Sequence, residues 1–181
     1  MEKILVLYES RYGSTQQYAE AIGRAMGCPV YSRRALPQGL LEECSVLVYG
    51  GGLYAGGVAG IRSLKQAMER FPRKKFVLFT CGIADPSQPE TLENIRRGVE
   101  RALGSEALGR LRLFCLRGRL DYSQLTPLHR MMMAALCRVV KSRDPDTLTS
   151  EDRQLLATYG SRIDFVDPGS LTPLLSYLEQ L

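Results

Sequence analysis

Four largely apolar runs, separated by helical segments, constrain the fold of this chain more than any other feature. They cover residues 3–8, 45–50, 76–81 and 111–116. A run without polar alternation is typical of a strand that is covered on both faces, as the strands of parallel sheets are. Segments of about 10–15 residues with apolar side chains at the helical period lie between these runs. The alternation therefore predicts an α/β fold, in which helices cover both faces of a parallel sheet.

The segments between the apolar runs predict three helices and one short strand. Three connecting helices are predicted from Ser14 or Thr15 to Gly27, from Gly60 to Arg70 and from Pro89 to Leu103. Residues 28–31 predict a short strand near an edge of the sheet, because Pro29 cannot donate to a strand ladder. Right-handed crossovers then favour a doubly wound, five-stranded parallel sheet of order 2-1-3-4-5.

The alternation ends after the fifth strand. Residues 123–140 and 149–160 predict two further helices, and residues 170–181 predict a final amphipathic helix. We expect the final helix to close the sheet and residues 118–168 to form a helical insertion before it. A chain of 181 residues buries enough surface for one core. The prediction is therefore a single domain over residues 1–181.

The segment between the first strand and the first helix is rich in groups that bind phosphate. It consists of Ser10, Arg11, Tyr12, Gly13, Ser14 and Thr15. A helix N-terminus offers unpaired N–H donors and a partial positive charge, and the hydroxyls add further donors. The segment has one glycine and no lysine, so it matches neither the P-loop nor the dinucleotide fingerprint. It predicts a seat for a single phosphate, and the alternative is an ordinary strand-to-helix turn.

Two further loops leave the sheet at the same end. After the third strand come Gly51, Gly52, Leu53, Tyr54, Ala55 and Gly56, and after the fourth come Cys81, Gly82 and Ile83. A glycine-rich loop can lie flat against a planar ligand while an aromatic side chain stacks on its face. The alternative is a flexible loop with Tyr54 half-buried in the core. A phosphate seat beside two such loops predicts noncovalently bound FMN.

These motifs resemble those of the flavodoxin-like FMN proteins. The phosphate loop of that family has the form T/S-x-T/S-G-x-T, which this chain matches at Ser10, Gly13 and Thr15. Tyr12 stands where a threonine is usual. Residues 50–57 and 81–86 are similar to the two loops that flank the flavin ring. The resemblance covers residues 1–117 and the last helix, and it implies a flavodoxin-like fold that binds one FMN.

A segment beyond the fifth strand resembles one branch of this family. Residues 116–122, which lead into a methionine-rich helix, look like the long insertion of the flavodoxin-type protoporphyrinogen IX dehydrogenases. The resemblance implies an oxidoreductase whose donor or acceptor is a porphyrinogen or a quinone. Electron-carrier flavodoxins are strongly acidic, whereas this chain has a net charge of +5 and no Trp. A second hypothesis is an electron-transfer module that serves an acidic redox protein. A third hypothesis is a phosphate-binding module that keeps the fold without flavin.

The positive charge lies in the middle third of the chain. Residues 61–122 contain thirteen basic and seven acidic side chains. This excess suits an acidic partner, and the alternative is a solvated face, because arginines and glutamates alternate there at helical spacing. No aromatic side chains alternate with the arginines as a single-strand binding platform requires. We therefore expect no nucleic-acid partner.

The remaining reactive side chains indicate structural roles. His129 is the only histidine, which excludes multi-histidine metal sites and histidine-based triads, and a capping or solvent-facing role is expected. Five widely spaced cysteines without a C-x-x-C pair predict neither a metal site nor a disulfide framework, and they favour a reducing cytoplasm. Cys81 is either redox-active beside the flavin or, more commonly, a buried strand-end thiol. No residue is identified as catalytic.

Met131, Met132 and Met133 lie in the longest predicted helix of the insertion. They could form an adaptable apolar surface for a porphyrin, a quinone or a membrane face, and the alternative is an ordinary core position. The N-terminal segment lacks the cleavage pattern of a signal peptide, and no run of about 18 apolar residues occurs. We expect a cytoplasmic protein whose contact with a membrane would be peripheral.

Overall fold

The computed structural model describes residues 2–54 and 57–181. The strands of its main sheet are β1 (Ile4–Glu9), β2 (Val30–Ser32), β3 (Val46–Tyr54), β4 (Gly57–Val58), β5 (Lys75–Gly82) and β6 (Leu111–Arg117). Five of these are parallel and lie in the order β2-β1-β3-β5-β6, while the short β4 pairs antiparallel with β3. The predicted doubly wound sheet of order 2-1-3-4-5 is confirmed, with β5 and β6 as the fourth and fifth predicted strands.

Helices cover both faces of this sheet. They are α1 (Ser14–Met26), α2 (Leu40–Glu43), α3 (Ile61–Arg70), α4 (Pro89–Leu103), α5 (Ser105–Gly109), α6 (Pro127–Lys141), α7 (Ser150–Thr158) and α8 (Thr172–Glu179). Successive strand residues point to opposite faces of a sheet. In β3, Leu47 packs in a core cluster with α3 and α4, whereas Val48 packs in a second cluster with α1 and α8. The strands are apolar without alternation because each face has its own core.

β3 is longer than the sequence predicts. The predicted strand ends at Gly50, whereas β3 continues to Tyr54. A Cβ on Gly50 would lie 2.2 Å from Cζ of Phe79, and a Cβ on Gly51 would lie 2.4 Å from Cγ1 of Val58. The glycines therefore permit close packing of the phenyl ring and of β4 against the strand. The sequence predicts that these glycines lie in a loop against a planar ligand, whereas the structure places Gly50, Gly51 and Gly52 inside the sheet.

The insertion is tied to the sheet by a short ribbon. Its first and last segments form β7 (Arg119–Asp121) and β8 (Arg162–Asp164), which pair antiparallel. α6 and α7 lie between these two strands in the sequence. At the base of the ribbon, the N–H of Gly118 donates to the carbonyl oxygen of Gly82 (2.7 Å), and the N–H of Phe165 donates to that of Gly118 (3.1 Å). The ribbon fixes both ends of the insertion beside the carboxyl end of β5.

The long helix of the insertion begins later than predicted. α6 starts at Pro127 instead of residue 123. Thr126 Oγ1 accepts a hydrogen bond from the N–H of His129 (3.3 Å), and proline suits the first helical position. α8 likewise begins only at Thr172, after a short 3-10 turn. Within the described ranges, no helix is long and apolar enough to span a bilayer.

Candidate ligand site at the carboxyl edge of the sheet

A cavity of about 690 Å³ lies at the carboxyl ends of β3 and β5, beside the insertion. Part of its wall consists of residues that the sequence predicts for the site: Tyr12, Ser14, Thr15, Gly52, Leu53, Tyr54, Cys81, Gly82 and Ile83. The other walls come from α4, β7 and α6. Small-molecule sites commonly have volumes of about 300–1,000 Å³. The fold thus brings parts of all three predicted loops together around one cavity of ligand size.

The other predicted residues lie beside the cavity or outside the described ranges. Ser10, Arg11, Gly13 and Gly51 do not line the cavity. The Oγ of Ser10 accepts a hydrogen bond from the N–H of Gly13 (3.0 Å), which shapes the phosphate loop. Gly51 is paired on both sides inside the main sheet. The predictions for Ala55 and Gly56 fall outside the residues that the structure describes.

The N-terminus of α1 combines several features of an anion site. Gly13 precedes it with a φ of 88°, and no described side chain caps it. The guanidinium of Arg119 lies close to the N-terminus of α1: a Cβ placed on Gly13 would be 2.9 Å from Arg119 Nη2. Arg119 reaches its acidic partner, Asp164, only at 4.0 Å. A cation at the positive end of a helix dipole is unfavourable without an anion nearby, so the arrangement suits an anionic ligand group.

The hydroxyls of the phosphate loop are already partly engaged. The Oγ of Ser14 accepts a hydrogen bond from the backbone N–H of Arg119 (3.0 Å), which leaves its own O–H free to donate. Thr15 is buried beside the thiol of Cys81 and lines the cavity. Convergence of the hydroxyls of Ser10, Ser14 and Thr15 on one phosphate therefore stays a prediction.

His129 joins the insertion to the phosphate loop. Arg11 Nη1 donates to His129 Nε2 (2.6 Å), and His129 Nδ1 lies 2.5 Å from the hydroxyl of Tyr12. A guanidinium group only donates, so Nε2 accepts and Nδ1 carries the proton that is shared with Tyr12. The imidazole also stacks on Tyr54, with the ring centroids 6.1 Å apart. These contacts hold α6 against the phosphate loop and beside the cavity.

The sequence-based expectation for His129 is wrong. It assigns a capping or solvent-facing role, whereas the side chain is half-buried. It bonds to Arg11 and Tyr12, which lie 118 and 117 positions earlier in the sequence. A local pattern does not reveal such contacts, because the fold of the insertion creates them. Arg119 was missed for the same reason. For Leu125, Met132 and Leu136, which also line the cavity, helical periodicity indicates an apolar face without saying what it covers.

Burial determines the chemistry of Cys81. It raises the pKa of this thiol to about 12. The Sγ atom lies 3.9 Å from the carbonyl oxygen of Arg117. A thiol with such a pKa is protonated at neutral pH and is a weak nucleophile. Of the two alternatives for Cys81, the structure supports the buried strand-end thiol.

The loop after β5 is held in place by Arg117. Its Nη2 donates to the carbonyl oxygen of Ile83 (3.1 Å), and its guanidinium carbon lies 3.6 Å from the ring centroid of Phe165. The N–H of Ser87 donates to Asp85 and, together with the more distant Arg117, lowers the pKa of the Asp85 carboxyl. The wall that this loop gives to the cavity is therefore preorganised.

α4 contributes a polar group that the sequence did not single out. Thr91 lines the cavity and is 1% exposed. Within residues 2–54 and 57–181, its hydroxyl has no hydrogen-bond partner. A buried hydroxyl without a partner costs free energy. A polar ligand atom would be stabilised by hydrogen bonding at this point of the wall.

The order of the sheet and the cavity at its carboxyl edge define a doubly wound α/β domain with a candidate ligand site at the topological switch point, where such folds bind their ligands. The chain belongs to the flavodoxin domain family, because the model of that family matches residues 5–147. No curated protein matches the chain significantly.

The chain is also similar to several solved structures, three of which follow. The flavodoxin, WrbA-like protein from Agrobacterium tumefaciens is 19% identical, with 57% of this chain and 74% of that chain covered and a TM-score of 0.44. The Trp repressor binding protein from Bacillus subtilis is 18% identical, with 87% and 95% covered and a TM-score of 0.42. The flavoprotein in complex with FMN from Lactobacillus acidophilus NCFM is 12% identical, with 65% and 93% covered and a TM-score of 0.40.

Proposed function

We propose that this protein binds FMN noncovalently and acts as an FMN-dependent oxidoreductase on an apolar organic donor. The observation that carries the proposal is the cavity itself, which joins an anion seat at the N-terminus of α1 to a largely apolar pocket. Membership of the flavodoxin domain family supports the same cofactor. When bound, FMN supplies the oxidation–reduction chemistry.

The anion seat fits the phosphate of FMN. Arg119 would pair with the phosphate, and the first backbone N–H groups of α1 would donate to it. The first turn of α1 contains no acidic side chain that would repel it. Gly13 keeps the approach open, since a side chain there would meet the guanidinium of Arg119.

The rest of the cavity fits a planar ring with polar edges. Leu53 and Ile83 supply apolar surface from the two loops, and Tyr54 supplies an aromatic face. The unpartnered hydroxyl of Thr91 would donate to, or accept from, a heteroatom of the ring system. These residues would hold the ring, and α6 lies over one side of the cavity.

The wall formed by the insertion favours a protoporphyrinogen dehydrogenase-like activity. Leu125, Met132 and Leu136 offer an apolar surface that adapts to a bulky, flat donor such as a porphyrinogen. In each turnover the donor loses two electrons and two protons, and an acceptor such as a quinone takes them up. The residues of the insertion bind and orient the donor in this scheme.

The alternative function is an electron-transfer module that serves an acidic redox protein. One observation favours it: Arg96, Arg97 and Arg101 are exposed on α4, the helix whose other face lines the cavity. Such a patch would steer an acidic partner towards the site. Oxidation of protoporphyrinogen with menadione as acceptor, without any partner protein, separates the two functions. Turnover supports the oxidoreductase, and its absence together with electron delivery to an acidic redox protein supports the module.

Cofactor binding is tested with a matched pair of arginine variants. The protein should purify with FMN or bind it with micromolar affinity or better, about 8 kcal/mol. Arg119→Gln should weaken FMN at least about tenfold, because a charge-assisted hydrogen bond contributes about 1.5–3 kcal/mol. Riboflavin, which lacks the phosphate, should bind both proteins equally. Titration of flavin fluorescence measures all four affinities.

The control is Arg162→Gln in the same ribbon. Arg162 is exposed and pairs with Asp121 at 3.8 Å, so its variant should bind FMN as the wild type does. Equal weakening of FMN and riboflavin by Arg119→Gln would place that residue in the fold rather than in the phosphate seat. Recovery of FAD, or no flavin binding at micromolar concentration, would overturn the proposed cofactor.

A further inference from the structure

α6 exposes an unbroken apolar stripe along its length. The stripe consists of Leu128, Met131, Met132, Ala135, Leu136 and Val139. Its spacing follows the i, i+3, i+4 pattern of one helix face. Met131 is 65% exposed, Leu128 is 59% exposed and Val139 is 53% exposed. The opposite face of the same helix buries Cys137 and Val140, so α6 is apolar on its inner and its outer side.

The charges of α6 favour an anionic partner. The helix contains Arg130, Arg138 and Lys141 and no Asp or Glu, and all three cations are exposed. A contact between α6 and its copy is disfavoured, because two-fold symmetry would bring the cations of two helices together and α6 itself has no acid to pair with them. At the helical period Arg138 lies at the edge of the stripe, and Arg130 and Lys141 lie towards the opposite side of the helix. An exposed apolar stripe on a helix that carries cations and no acids is typical of a helix that lies in the headgroup region of a membrane.

We propose that the α6 stripe docks this protein on an anionic lipid surface. The helix lies in the plane of the interface, since its 15 residues extend about 22 Å and a membrane core is about 30 Å thick. Met132 and Leu136 belong both to the stripe and to the wall of the cavity. Docking would therefore turn the α6 wall of the cavity towards the lipid. This inference does not depend on the proposed cofactor.

A tryptophan reporter tests whether the stripe enters lipid. The chain contains no native Trp, so Met131→Trp gives a signal from one position. Its emission should shift to the blue on vesicles of phosphatidylcholine with one-third phosphatidylglycerol, and brominated lipid should quench it. Gln66→Trp is the matched control, because Gln66 is exposed on α3 among charged residues. Its emission should stay unchanged.

Flotation of the purified protein with the same vesicles measures the affinity. The double variant Met131→Asp/Val139→Asp should bind at least about tenfold more weakly, since it places two charges in the interface. Arg138→Gln/Lys141→Gln should lose about tenfold or more on anionic vesicles, while binding to pure phosphatidylcholine stays equally weak. None of these four residues lines the cavity, so the flavin affinity of both variants should equal that of the wild type.

Several outcomes would overturn the proposal. Wild-type protein that floats with neither type of vesicle contradicts docking, and so does a Met131→Asp/Val139→Asp variant that floats as well as the wild type. Sedimentation that shows a wild-type dimer, a monomeric aspartate variant and no vesicle binding would assign the stripe to an interface between copies. Flavin binding is measured in parallel, so failure of the docking proposal and failure of the proposed cofactor are distinguishable.

Discussion

Cys81 links a single buried residue to the pH dependence of stability. Burial raises its pKa to about 12 from an ordinary value of 9.0. The unfolded chain therefore loses this proton above about pH 9 while the folded state keeps it, so stability falls as pH rises from about 9 to about 12. Between about pH 8 and about pH 10.5 the loss from Cys81 should be about 2 kcal/mol. Urea unfolding of the wild type and of Cys81→Ala at the two pH values measures it.

The variant should lose less stability over this interval than the wild type, although the missing thiol lowers its stability at both pH values. Val77→Ala is the control, because Val77 lies on the same strand and in the same core cluster but does not titrate. That variant should keep the wild-type pH dependence. Identical pH dependence in all three proteins would show that the thiol of Cys81 ionises as freely in the folded state as in the unfolded chain.

Single residues of the site were predictable only where the signal is local. Residues 10–15 are contiguous, and the hydroxyls, the glycine and the helix start that mark them can be read without knowledge of the fold. Arg119 and His129 lie more than a hundred positions from the residues of the phosphate loop that they contact. The pairing of the β7–β8 ribbon and the packing of α6 bring them to the phosphate loop. No spacing rule connects positions so far apart.

Elements were predictable in proportion to their length. The long apolar strands and the periodic helices of the sheet are found close to their predicted positions, because many residues contribute to each signal. β7 and β8 have three residues each, too few for a period to emerge. The sequence predicts too short a β3 because its glycines indicate a loop, whereas Phe79 fills the space that a side chain on Gly50 would need. Glycine inside a strand often marks a place where another group approaches the backbone closely.

α6 should depend on His129 for its attachment to the sheet. His129→Ala removes the hydrogen bonds to Arg11 and Tyr12, each of which contributes about 1 kcal/mol. Amide hydrogen exchange in α6 should then be at least about tenfold faster, while exchange in β3 stays unchanged. Arg130→Ala, at the next position on the exposed side of the helix, should leave α6 as protected as in the wild type. Equal protection in both variants would mean that the buried face alone holds the helix.

At the scale of the whole molecule, the sheet carries the anion seat and the insertion covers the cavity. The base of the insertion belongs to the site, because Gly118 bonds to Gly82 and Arg119 bonds to Ser14. α6 and α7 lie beyond the ribbon and contribute the outer wall, and α6 also bonds to the phosphate loop through His129. The two functions should therefore be separable: the sheet and the ribbon bind the cofactor, and the helices of the insertion bind the donor.

Replacement of residues 122–161 by an Asn-Gly turn tests this separation. The turn joins β7 to β8 as a hairpin, since Asp121 and Arg162 already face each other in the register. Arg119 and the three loops are kept, so FMN should bind within about tenfold of the wild-type affinity. Oxidation of protoporphyrinogen should fall to the uncatalysed rate because the wall that orients the donor is absent. A trimmed protein that stays folded by circular dichroism, binds FMN and oxidises the donor at the wild-type rate would contradict a role of the helices in donor binding, and the electron-transfer module would then be the better account.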